Sequence, residues 1–120
     1  MLIKEEFDYT RKFDSYAEYR RSFFAHNHLV AYICSLFNVT AEELKSKRKF
    51  KHYAYARQLL AYALDECTNL TNDEIAEVIG RDRTNVYHCV KKCTQAKDGY
   101  NPELNEYIKH YERNRTGLSD

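Results

Sequence analysis

Residues 80–92 read GRDRTNVYHCVKK, a glycine followed by Arg81, Asp82, Arg83, Thr84 and Asn85 and then by a helix-like run ending in lysines. These side chains carry hydrogen-bonding groups at defined spacing. Arg can grip guanine O6 and N7 with two donors. Asn can grip adenine N6 and N7, and a Thr methyl can touch the thymine methyl. Asp82 can accept from cytosine N4, or it can cap the helix that follows. On a helical wheel Val86, Cys89, Val90 and Cys93 fall on one side, and Thr84, His88, Lys91 and Gln95 on the other. The second face is polar, rich in donors and free of carboxylates, with Arg83 and Asn85 in the first turn. That distribution suits a helix entering the DNA major groove by its N-terminus. An ordinary solvated surface helix is the competing reading.

The elements that would position this helix are legible from capping signals. The segment TNDE is a capping box, Thr71 to Glu74, opening a short helix with Ile75, Ala76, Val78 and Ile79 on its apolar side. Gly80 stops that helix and Asp82 starts the next, which is the helix-turn-helix pattern over about residues 71–96. Upstream, a helix from about His52 to Cys67 would bury Ala56, Leu59, Leu60, Ala63, Leu64 and Cys67. TAEE is a second capping box, Thr40 to Glu43. Leu29, Val30, Ile33, Leu36 and Phe37 mark a helix ending at Asn38. Tyr16, Tyr19 and Phe23 mark a helix from near Ser15, either continuous with it or broken near Asn27. Asn101 and Pro102 read as N-cap and first turn of a closing helix over about 101–114, with the stripe Leu104, Tyr107, Ile108 and Tyr111.

Composition agrees. The chain has 120 residues, three glycines, one proline and 43% hydrophobic residues, which favours one all-α domain with few breaks. It divides into an extension (1–25), a core (26–97) and the closing helix. No run is long enough to span a membrane, and the start MLIKEEFDYT has no apolar signal core, so a cytoplasmic location is expected.

Charge is distributed unevenly. Residues 45–57 hold Lys45, Lys47, Arg48, Lys49, Lys51 and Arg57 without an acid, giving +6. Residues 81–97 give +4, and against a net charge of +1 the remainder carries −9. Two basic islands in an acidic chain imply an oriented electrostatic footprint. Cys34, Cys67, Cys89 and Cys93 form no C-x-x-C pair. Cys89 and Cys93 point to the predicted core and His88 away from it, so no metal site is expected. No convergent carboxylate set is present either, and a catalytic role is not expected.

The stretch SKRKFKHYAYARQLLAYALDECTNLTNDEIAEVIGRDRTNVYHCVKK closely resembles the C-terminal DNA-binding domain (domain IV) of the bacterial replication initiator DnaA. In that family a basic loop S-K-x-R leads to A-R-Q, then L-T, E-I and the signature G-R-D-H-T-T-V-x-H. Here these are Ser46, Lys47 and Arg48; Ala56, Arg57 and Gln58; Glu74 and Ile75; and Gly80, Arg81, Asp82, Thr84, Val86 and His88. The resemblance covers roughly residues 26–97. It implies a Trp-repressor-like helix-turn-helix that binds a short double-stranded DNA box. It implies base contacts from Asp82, Arg83, Thr84, Asn85 and His88, and minor-groove contact from the loop Lys47, Arg48 and Lys49. It makes Arg57, Gln58, Thr71, Arg81, Lys91 and Lys92 candidate phosphate contacts.

The departures are specific. Lys49 stands where the family has a minor-groove arginine, Arg83 replaces the signature histidine, Asn85 replaces the second threonine, and a single Gly80 replaces a double glycine. Gly80, Gly99 and Gly117 lack P-loop spacing, so no nucleotide cofactor is expected. The expected role is then a free-standing regulator or competitor at initiator-type boxes, of phage or mobile-element origin. The alternative is a protein-interaction module in which the tyrosine-rich flanking helices form a homodimer surface.

Overall fold

The computed structural model describes residues 16–118, and the side chains of residues 26–114. Among the described residues six α-helices follow one another: α1 (Tyr16–Phe37), α2 (Ala41–Lys45), α3 (Lys51–Cys67), α4 (Asn72–Ile79), α5 (Arg83–Gln95) and α6 (Pro102–Leu118). A π-helical turn, Ala96–Tyr100, links α5 to α6. The described residues contain no strand, so the fold is all-α.

α1 runs unbroken through Asn27. Leu29, Ile33 and Phe37 recur every four residues and are buried. The helix stops because Asn38 takes the left-handed conformation (φ 55°), which lets the Val39 amide close back on the Cys34 carbonyl at 2.9 Å. The Tyr16, Tyr19 and Phe23 side chains lie outside the described residues.

α3 is the central helix. Ala56, Leu59, Leu60, Ala61, Ala63 and Leu64 are all fully buried. This is wider than the single stripe expected from periodicity, because both α1 and α5 pack against α3. Its alanines let both neighbours approach closely. Cys67, expected in that stripe, is only half-buried at its end.

Both capping boxes form. Thr40 Oγ1 accepts from the Glu43 amide at 3.0 Å, and Glu43 Oε1 accepts from the Thr40 amide at 2.9 Å. Thr71 and Glu74 repeat the exchange at 3.3 and 2.8 Å. Asn101 caps α6, its Oδ1 accepting from the Leu104 amide at 3.1 Å.

α6 turns its stripe inward. Leu104, Ile108 and Tyr111 are fully buried, and Tyr107 stacks on Phe37 with centroids 4.3 Å apart. Tyr111 donates to Glu66 Oε1 at 3.0 Å. Lys97 Nζ donates to Glu112 Oε2 at 2.8 Å and to the Tyr62 hydroxyl at 3.1 Å. Of the two flanking stripes read as a candidate partner surface, the α6 one is thus largely packed against the protein's own core.

Candidate nucleic-acid interface

The turn between α4 and α5 is built from three consecutive residues with three tasks. Gly80 takes φ 69°, ψ 35°, a left-handed conformation that ends α4. A Cβ there would also lie 2.9 Å from Lys45 Cβ, so the position is closed to a side chain on two grounds. Asp82 caps α5, its Oδ1 accepting from the Asn85 amide at 2.8 Å. Between them Arg81 reaches away from its own helix pair. Its Nη2 donates to the Ser46 carbonyl at 2.8 Å and its Nη1 to the Lys45 carbonyl at 3.1 Å.

Arg81 thereby ties the start of the basic loop to the start of α5. Arg57 adds a second tie, donating to the Leu44 carbonyl at 2.9 Å. Ser46 Oγ donates to the Glu43 carbonyl at 2.7 Å, which turns the chain out of α2 into the loop. The tie brings the start of the first cationic island against the start of the second, although the two are separate in sequence. Lys47, Arg48 and Lys49 stand exposed beyond the tied residues.

Along α5 the side chains sort as the wheel predicts. Val86 and Cys93 are fully buried and Cys89 nearly so. Thr84, His88, Lys91 and Gln95 are exposed. Burial pushes the Cys89 thiol up to about 11 and the Cys93 thiol up to about 12, so both stay protonated at neutral pH. Cys93 donates to the Gln58 carbonyl at 3.3 Å, pinning α5 to α3.

The two first-turn candidates part company. Arg83 is 71% exposed, with Nε 4.0 Å from Asp73 Oδ1 on α4. Asn85 lies on the opposite flank, half-buried, with Oδ1 accepting from Cys89 Sγ at 3.4 Å. Asn85 lines a cleft of about 130 Å³ between α3 and α5, together with Arg57, Gln58, Arg81, His88 and Lys92. Positive charge accumulates in this cleft. Burial first, and then the neighbouring Arg81 guanidinium, lower the Arg57 pKa. A guanidinium keeps its proton all the same, so the cleft suits an anion of phosphate size.

Thr71 is placed differently from the other phosphate candidates. Its hydroxyl donates to Glu74 Oε1 at 3.0 Å, so the carboxylate that completes the capping box stands beside it. Lys97 and Lys51, counted in the islands, point instead at Glu112 and Glu103 of α6. Sequence reasoning passes over Phe50, Tyr87 and Tyr100, which remain exposed.

A family model described as the bacterial dnaA protein helix-turn-helix matches residues 27–93, more than half of the chain. The chain belongs to this DnaA family. Relatives named chromosomal replication initiator protein DnaA agree with the assignment. The one from Thermoanaerobacter sp. (strain X514) is 35% identical over 60 residues, half of this chain and 14% of that protein. The one from Herminiimonas arsenicoxydans is 33% identical over 86 residues, 71% of this chain and 18% of that protein. The chain thus spans less than a fifth of the length of these relatives.

The helix-turn-helix of the DnaA family is a DNA-binding module, and the signature G-R-D acquires a physical reading here: turn, tie and cap. No helix among the described residues is long and apolar enough to cross a membrane.

The tie predicts a measurable separation of charge from geometry. Arg81→Lys keeps the charge but cannot donate to two carbonyls from one planar fork. It is expected to cost roughly 1–2 kcal/mol of stability, about that of the hydrogen bonds removed, and to weaken duplex binding by about tenfold through a loosened loop. Thermal melting and a binding titration read both quantities. A Lys variant that binds like the parent would mean that charge alone matters at this position.

Proposed function

We propose that these residues bind a short double-stranded box of the initiator type, with α5 in the major groove and the loop of Lys47, Arg48 and Lys49 over the adjacent minor groove. Arg83, Thr84 and His88 read base edges from the tip and outer face of α5. Asp82 combines capping with access to a base. Asn85 stands at the boundary between base edges and the cleft. Arg57, Gln58, Arg81 and Lys92 surround a backbone phosphate, Lys91 meets a neighbouring one, and Thr71 lies at the rim. Binding requires neither nucleotide nor metal from these 120 residues. The replication role named for the relatives is proposed for this chain as occupation of such boxes.

The observation that carries this reading is the pair of bonds from Arg81 to the Lys45 and Ser46 carbonyls. They place a cationic loop beside the tip of a donor-rich helix, as a groove and its flanking phosphate strands require. Selection of bound duplexes from a random-sequence pool tests it. One short shared motif related to the initiator box is the expected product. A pool that stays random after repeated selection would overturn the sequence-specific reading.

A further inference from the structure

Among the described residues the large hydrophobic side chains left exposed are Phe50 (52%), Tyr87 (59%) and Tyr100 (82%). Scattered exposed aromatics need no explanation, but each of these three stands beside basic residues. Phe50 lies inside the first basic island. Tyr87 lies on α5, one helical turn from both Arg83 and Lys91. Tyr100 borders a cleft with Lys92 and Gln95. Phe50 is the one without a hydroxyl, so water offers it nothing.

Phe50 is also firmly held. It is the N-cap residue of α3, with φ −77° and ψ 140°, and its carbonyl accepts from the Tyr53 and Ala54 amides at 3.1 Å. Its ring meets the Tyr53 ring edge-on, with centroids 5.4 Å apart, and lies 6.0 Å from the His52 ring. Tyr53 is itself buried and donates to Glu43 Oε2 at 3.2 Å. An apolar ring therefore projects from a buried base, directly after the exposed Lys47, Arg48 and Lys49. Cations grip phosphates on the groove rims, and what lies between the rims is the less polar surface of sugars and base edges.

We propose that Phe50 is an apolar wedge that enters the minor groove, partly opens one base step and bends the duplex toward the major groove. This rests on the DNA-binding reading above. A wedge favours steps that unstack cheaply, so a TA or CA/TG step is expected where the loop meets the DNA.

The test uses the full chain, a short duplex recovered by selection, and an unrelated duplex of equal length. Fluorophores at the duplex ends report bending. Phe50→Ala is expected to lose about tenfold in affinity for the selected duplex and most of the bend, with Phe50→Leu retaining much of both. Phe50→Lys separates a wedge from a merely cationic loop. It should bind the unrelated duplex more tightly and the selected duplex more weakly. Melting curves matching the parent's establish that each variant is folded. Phe50→Ala binding and bending like the parent would overturn the wedge while leaving DNA binding intact, as would Phe50→Lys tightening both duplexes. A parent chain that binds neither duplex would overturn both readings.

Discussion

Replacing Lys47, Arg48 and Lys49 together by glutamine is expected to weaken binding to selected and random duplexes alike, by about two orders of magnitude near 0.1 M salt. The three side chains are exposed and lie beyond the backbone tied by Arg81, so the substitution removes charge without removing the fold. For every phosphate that the variant no longer neutralises, the slope of log affinity against log salt should fall by about 0.9. Three such phosphates would flatten it by up to about 2.7. Lys49 adds a distinct expectation. Its ammonium is a point charge without the planar fork that suits a narrow groove. Lys49→Arg should accordingly tighten the selected duplex more than the random one. Unchanged affinity and slope in the triple variant would remove the loop from the interface and leave α5 alone to bind.

Much of this surface is legible in the sequence because its causes are local. The capping boxes at Thr40 and Thr71 exchange bonds three residues apart, so four consecutive letters suffice to read them. The two faces of α5 follow from a period of 3.6 and a clean division of apolar from polar residues. Gly80 followed by Asp82 marks a stop and a start for reasons confined to the turn.

What escapes the sequence depends on partners far along the chain. Arg81 and Ser46 are separated by 35 residues, and the acceptors are backbone carbonyls, which leave no mark on the amino-acid pattern. Arg81 therefore reads as a free cation. Lys97 does too, although Glu112 and Tyr62 hold it against α6 and raise its pKa. The inward turn of the α6 stripe depends on Phe37 and Glu66, which meet Tyr107 and Tyr111 only in the fold. Asn85 is the instructive intermediate. Its wheel position, between the apolar and outer faces, is readable. Its place in the first turn suggests base contact, and only the Cys89 thiol and the α3 cleft show which flank it occupies.

The separation of Arg83 from Asn85 leads to the sharpest expectation for specificity. Arg83 stands at the helix tip, 71% exposed, and its pairing with Asp73 at 4.0 Å is solvated and costs little to give up. A guanidinium released there can meet one guanine with two donors, worth about 1–3 kcal/mol of discrimination. Arg83→His should therefore change the preferred base at one position by roughly one to two orders of magnitude, toward the usual initiator box. Affinity for random duplex should fall only slightly, since one exposed charge is removed. Asn85 faces the Arg57 and Arg81 cleft, where a phosphate is expected. Asn85→Thr alone should change affinity by similar factors on selected and random duplexes and leave the selected sequence as it was. The double variant should then select the same sequences as Arg83→His. Parallel selections with the two single variants decide the matter. Asn85→Thr moving the selected motif while Arg83→His leaves it fixed would reverse the two flanks. The edge of α5 nearer α3 would then face the bases, with Arg83 against the phosphates.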